Sequence, residues 1–126
     1  MAVLGAIPQL RTTDLDRSID FYVNKLGLIL EFQYSDFYAG IKAGEQSFHL
    51  KLVDALDPTI AYVAAEGHLH LYFPTDDARA EAARLQRNGV SLEAPVADTE
   101  WGTREFWIHD TDGHTLYFGQ RLAGAA

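Results

Sequence analysis

The sequence predicts an α+β fold built from two successive copies of a strand, a helix and three further strands, with largely antiparallel sheets. Three observations lead there. Thr13-Asp14 and Gly27 frame one apolar stretch of helical period, and Thr75-Asp76 and Gly89 frame a second. Two runs rich in aromatic residues flank Asp110-Thr111-Asp112-Gly113, a turn signature that joins antiparallel strands. The 126 residues, 48% of them hydrophobic, suit a single domain with one real core.

In chain order, the first strand is expected over 5–11. Leu15, Ile19, Tyr22, Val23 and Leu26 then follow helical spacing between Thr13/Asp14 and the stop at Gly27. Strands over 28–34, 37–42 and 46–53 complete a first module, about 4–53, and 54–66 reads as a linker. The second module, about 67–120, opens with a strand over 67–73. Its helix runs from Asp76/Asp77 to Asn88 with a small inward face of Ala78, Ala82 and Leu85, Thr75 as the expected N-cap and Gly89 as the stop. A weak strand is expected at 90–93, a loop at 94–100, and strands at 103–109 and 114–119. Residues 121–126 read as a frayed tail.

Composition narrows the function. A net charge of −8 disfavours nucleic acid, whose binding relies on basic side chains neutralising phosphates, and it favours a cation over an anion as ligand. With no cysteine there is no disulfide and no thiolate ligand or nucleophile, so metal donors must come from His, Asp, Glu or Gln. Neither a membrane-spanning stretch nor a signal peptide is legible, and a cytoplasmic protein without membrane contact is expected.

Along the last strand, Tyr117 faces one side while Leu116 and Phe118 face the other. Asp110 is expected to cap the turn through its carboxylate, and Asp76-Asp77 to sit at a helix start where the dipole favours them. Arg104-Glu105 reads as part of a cross-strand or intersubunit ion pair that fixes the loop carrying Trp101.

Three sets of residues carry a family resemblance. They are Ile7-Pro8-x-Leu10 with Asp14-Leu15-x-Arg17-Ser18-x-x-Phe21-Tyr22 and Leu26-Gly27; then Asp36-Phe37-x-Ala39-Gly40 with Phe48-His49-Leu50; and Trp101-Gly102-x-Arg104-Glu105-Phe106 with Asp110-x-x-Gly113. Together these resemble the vicinal oxygen chelate superfamily of glyoxalase I, extradiol dioxygenases, fosfomycin-resistance enzymes and bleomycin-resistance proteins, and most of all the bleomycin-resistance branch. The resemblance covers nearly the whole chain. It implies βαβββ modules whose sheets curve into an open cup, and commonly a homodimer with ligand crevices between subunits.

Two functions follow from the resemblance. In metal-using relatives, His or Gln residues and a Glu hold a divalent ion with an open position for substrate oxygens. Those positions fall on Ile7, His70 and Tyr117, so one ligand survives; Gln9, His49 and His68 are the alternative donors for a glyoxalase-like lyase, isomerase or dioxygenase. The favoured expectation is a metal-independent protein of the bleomycin-resistance type that sequesters a flat or cationic small molecule and needs no cofactor. Phe32, Phe37 and Trp101 would be its stacking surfaces, widened by Tyr34, Tyr38 and Tyr62, with His49, His70 and Tyr117 as polar groups in the cup. A cationic tail would meet Asp36, Asp98 or Glu100, with cation–π contacts worth about 1 kcal/mol each. Phe106 and Phe118 are expected in the core, Phe32 and Trp107 have an ordinary packing role as their alternative, and His49 and His70 are expected to be partly buried.

Overall fold

The computed structural model describes residues 2–65 and 70–123. Eight strands and three helices follow in the order β1 (Gln9–Thr12), α1 (Leu15–Asp20, continued by a π-helical segment Phe21–Lys25), β2 (Ile29–Tyr34), β3 (Tyr38–Ala43), β4 (Gln46–Leu52), α2 (Pro58–Ala64), β5 (His70–Pro74), α3 (Ala78–Arg87), β6 (Ala94–Asp98), β7 (Thr103–His109) and β8 (Thr115–Arg121). The chain divides into two compact units, Met1–Ala61 and Tyr62–Ala126. Each holds one four-stranded sheet, ordered β1-β4-β3-β2 in the first and β5-β8-β7-β6 in the second. The outer strands of both are antiparallel, and the first strand pairs parallel with the last. The expected α+β fold of two βαβββ modules is therefore what the chain forms.

One face of each sheet is closed by its helix. In the first module Leu10, Ala39, Ile41, Phe48 and Leu50 are buried with Leu15, Tyr22 and Leu26 of the helix. In the second, Phe106, Ile108, Leu116 and Phe118 are buried with Ala78, Ala82 and Leu85. Phe106 and Phe118 stack across β7 and β8 with centroids 4.9 Å apart, the packing role expected of them. Strand alternation turns the remaining side chains to the opposite, open face. Tyr117 lies on that face, whereas its neighbours Leu116 and Phe118 are buried.

Both helices start the same way. Asp14 and Asp77 adopt extended backbone at the N-cap, and each carboxylate accepts from the N–H three residues on, at 3.0 Å. The cap of α3 is thus Asp77 and not Thr75, whose hydroxyl instead accepts from the Asp77 N–H at 3.4 Å. Gly27 and Gly89 both take positive φ, 78° and 87°, as the helix stops require.

Several boundaries depart from expectation. β1 begins at Gln9 rather than residue 5, and Pro8 immediately before it has no N–H to extend the ladder. The Leu26 N–H donates to the Phe21 carbonyl, five residues back, so the helix widens where Phe21 and Tyr22 are both buried side by side. The segment 54–66 contains helix α2, whose approach is fixed by Asp57: its carboxylate accepts from the Thr59 N–H and pairs with Arg11 at 3.0 Å. The strand expected at 90–93 forms at Ala94–Asp98 instead, and β8 continues to Arg121, which is no frayed tail. The start of the strand expected at 67–73, with His68, and residues 124–126 lie outside the described residues.

Candidate functional site

The open face of the first sheet carries a chain of polar side chains roofed by an aromatic ring. Gln9 on β1 is the register partner of His49 on β4, and His49 is in turn the partner of Gly40 on β3. The Gln9 Nε2–H donates to the Tyr38 hydroxyl at 3.1 Å. Tyr38 Oη lies 2.9 Å from His49 Nδ1. The Tyr38 hydroxyl thus links the Gln9 amide to the His49 ring. Phe32 completes the cluster. It meets His49 edge-on at 5.2 Å and stacks on Tyr38 at 6.2 Å. Its ring lies on Gly40, where any Cβ would collide with it, so the glycine is what lets the ring fold down on the sheet. Phe32 stays 39% exposed. A register shift between Leu30 and Phe32 puts Phe32 on this face.

Phe37 stands at the end of this sheet with its ring 5.5 Å from that of Tyr34, both exposed. Of the residues expected to bind ligand, Phe32, Tyr38 and His49 therefore converge, with Gln9 beside them, and Phe37 forms a second aromatic pair.

The second sheet uses the same positions differently. His70 on β5 is exposed rather than partly buried, and it stacks on Tyr117 at 5.5 Å. Tyr117 stacks in turn on Trp107 at 6.0 Å, and Trp107 meets His109 edge-on at 5.4 Å. Trp107 is thus part of the open face, not of the core. Two residues along β5, Tyr72 crosses over Gly119, which leaves the phenol room to reach β7. The Tyr72 hydroxyl donates to Glu105 Oε2 at 2.9 Å, and the Thr103 hydroxyl donates to the same oxygen at 2.9 Å. Desolvation of the phenol, then its bond to Glu105 and the carboxylate charge, push the Tyr72 pKa up to about 12. Half of the side chain is exposed, but its hydroxyl end lies on Gly119.

The cross-strand ion pair expected of Arg104-Glu105 is made by Arg104 with Asp98 on β6, while Glu105 accepts from the two hydroxyls. Arg104 forks onto Asp98, at 2.7 and 3.2 Å, holding that carboxylate below its usual range. Asp98, expected to meet a cationic ligand, is engaged; Asp36 and Glu100 remain exposed. Trp101 is 68% exposed on the loop between β6 and β7. It borders a cavity of about 250 Å³ lined also by Tyr72, Thr75, Thr103, Gly119 and Arg121. Tyr62 lies on α2, not on a sheet. Asp110 caps the hairpin turn as expected, its Oδ1 accepting from the Asp112 and His114 N–H groups at 2.9 Å each.

Residues 5–118 match the family described as the Glyoxalase/Bleomycin resistance protein/Dioxygenase superfamily. The chain belongs to that superfamily. A superfamily relative named lactoylglutathione lyase, from Haemophilus influenzae, is 32% identical over 122 residues, 86% of either chain. The bleomycin-binding protein of Streptomyces verticillus, solved with copper(II)-bleomycin, shares the fold with a TM-score of 0.71 at 23% identity, covering 98% of both chains. TnmS3, an antibiotic-binding protein from Streptomyces sp. CB03234, has a TM-score of 0.68 at 26% identity and covers 96% of this chain and 99% of its own.

The superfamily's metal-ligand positions can be weighed against these side chains. Ile7 precedes β1, is 56% exposed and has no donor atom. Tyr117 offers a neutral phenol between two rings, and His70 alone supplies an imidazole. Gln9 and His49, the alternative donors, both direct a polar atom at Tyr38. Among the described residues no three His, Asp or Glu side chains converge. Zinc held by protein takes three or four such donors, and the described residues do not bring them together.

Sequence reasoning passed over Tyr72 and Glu105 as partners. The one signal available was Gly119 inside a strand, which marks a close approach by another group. Among the described residues no helix is long and apolar enough to cross a membrane.

Proposed function

We propose that this protein is a metal-independent small-molecule binding protein of the bleomycin-resistance type. It sequesters a flat ligand against aromatic side chains, in a crevice completed by a second copy of the chain. One observation carries the reading. The open sheet faces present clustered aromatic rings, Phe32 over the hydrogen-bonded Tyr38 and His49 and the partly exposed His70–Tyr117–Trp107 stack, with Tyr117 in place of a carboxylate. Rings fixed in this way lose little side-chain entropy on binding, and each stacked contact adds about 0.5–1.5 kcal/mol beyond the area it buries. The antibiotic-binding and bleomycin-binding proteins of the same fold agree with this reading.

A second reading, a metal-dependent glyoxalase-like enzyme, is favoured by the relatives named lactoylglutathione lyase, which align over 86–91% of the chain. It requires donors that the open faces do not bring together. The test is a titration of metal-stripped protein with metal-free bleomycin, followed by tryptophan fluorescence. Saturable quenching at micromolar affinity or tighter, weakened in Trp101→Phe, supports sequestration. Lactoylglutathione lyase activity on adding a divalent metal would replace it with the second reading.

A further inference from the structure

The cavity beside Trp101 has a charge preference opposite to that of the chain as a whole. Its walls are the Trp101 indole, the Tyr72 ring and Pro74, with Thr75 and Thr103 as polar groups. Arg121 is the one charged side chain lining it. Two nearby carboxylates, neither of them in the lining, have hydrogen-bond partners of their own. Glu105 accepts from Tyr72 and Thr103 through one oxygen, and Asp98 is held by both arms of the Arg104 fork.

The direction of each hydroxyl matters as much as the charge. Tyr72 and Thr103 donate their protons to Glu105, away from a ligand. Thr75 Oγ1 accepts from the Asp77 N–H, which leaves its own O–H to donate. The donors on offer are therefore Arg121 and Thr75, set beside two aromatic faces. At about 250 Å³ the cavity is smaller than the roughly 300–1,000 Å³ of a complete small-molecule site. It takes one part of a ligand.

We infer that this cavity is a subsite for an aromatic group bearing an anionic substituent, a carboxylate, sulfonate or phosphate, with the ring on Trp101 and Tyr72 and the anion on Arg121 and Thr75. This deepens the sequestration reading and rests on it. A guanidinium and a hydroxyl are matched to an anion, whereas a cation in the same place would face Arg121 without a free carboxylate in the lining.

The test uses the full chain and two small probes that share a ring system, 2-naphthoate and 2-naphthylmethylammonium. Indole N–H resonances of the nitrogen-15-labelled protein report binding, and Trp101→Phe assigns the Trp101 signal. The expected result is saturable movement of that signal with 2-naphthoate, affinity lower by about tenfold in Arg121→Gln, and most of it kept in Arg121→Lys. Unchanged near-ultraviolet circular dichroism shows that the variants are folded. Equal or tighter binding of the ammonium probe, or an Arg121→Gln variant that binds 2-naphthoate as well as the parent, overturns the inference. The bleomycin titration fails or succeeds separately. Bleomycin binding without 2-naphthoate binding removes this subsite and keeps the function, and the reverse keeps the subsite and removes bleomycin as a ligand.

Discussion

The two modules place a polar side chain of their first strand across their last strand and onto the third, yet they end the reach on different chemistry. In the first module Gln9 reaches Tyr38, and the chain of hydrogen bonds finishes at an imidazole, His49. In the second, Tyr72 reaches Glu105, so the chain finishes at a carboxylate. Each arrangement depends on a strand glycine beneath a ring, Gly40 under Phe32 and Gly119 under Tyr72. The lesson is that a repeated backbone fixes where side chains meet and leaves open what they do there. The first face carries no carboxylate in this chain of hydrogen bonds, and it suits an aromatic surface. The second carries a carboxylate that accepts from two hydroxyls, and Arg121 lines the neighbouring cavity.

The largest effect distinguishes either open face from the core behind it. Phe106→Ala removes a ring that is 1% exposed and stacked on Phe118, and a loss of about 3–5 kcal/mol is expected in denaturant unfolding. A loss under about 1 kcal/mol would mean that the second core is not organised around this stack.

Next come the two strand glycines. Gly119→Ala forces the phenol off the sheet and breaks its bond to Glu105, and Gly40→Ala displaces Phe32 from above His49. About 1–3 kcal/mol is expected for each, since a new methyl group must be accommodated by moving a ring. The comparison sharpens in the ligand response, because the first substitution should disturb the Trp101 signal and the second should leave it unchanged.

A smaller, pH-dependent difference follows from Tyr72. Its folded pKa of about 12 lies above the ordinary 10.0, so the stability it contributes is complete below pH 10 and is lost as pH rises towards 12. Ultraviolet titration of tyrosinate should show one late-ionising residue, absent in Tyr72→Phe and shifted down in Glu105→Gln. A late step that survives Tyr72→Phe would assign it to another tyrosine.

Least is expected from Asp98→Asn. The pair with Arg104 is exposed and screened, and the carboxylate's lowered pKa places its contribution above about pH 4, lost on acidification. Melting temperatures of the variant and parent at pH 7 should agree closely.

How much of this was legible in the sequence depends on the range of the interaction. β7 falls where its alternation and turn chemistry put it, Thr103–His109, and both helix stops rest on glycines that a local reading detects. Thr75 is the N-cap the sequence suggests for α3 and Asp77 is the one that forms, because both residue types cap helices and the choice is made by backbone angles. β6 was displaced for a different reason. Val90 is buried at the end of α3, and the strand begins only where pairing with β7 holds it, Ala97 opposite Glu105 and Asp98 opposite Arg104. The widened turn at Phe21–Lys25 left no mark beyond two adjacent large aromatics.

The site was half legible. Phe32, Tyr38 and His49 were named from the sequence and do converge, and Tyr117 was placed on the open face by parity alone. The partner of Arg104, the reach of Tyr72 and the exposure of His70 were not, since each is set by cross-strand register at long sequence separation.

The most direct measurement is calorimetric titration of one antibiotic, bleomycin, into the same protein preparation before and after metal stripping, with bound metal counted in both. Binding at micromolar affinity or tighter that is unchanged by stripping, from protein carrying well under one metal ion per chain, is the expected result. One tightly held divalent ion per chain, with binding or lactoylglutathione lyase activity lost on its removal, would contradict metal-independent sequestration.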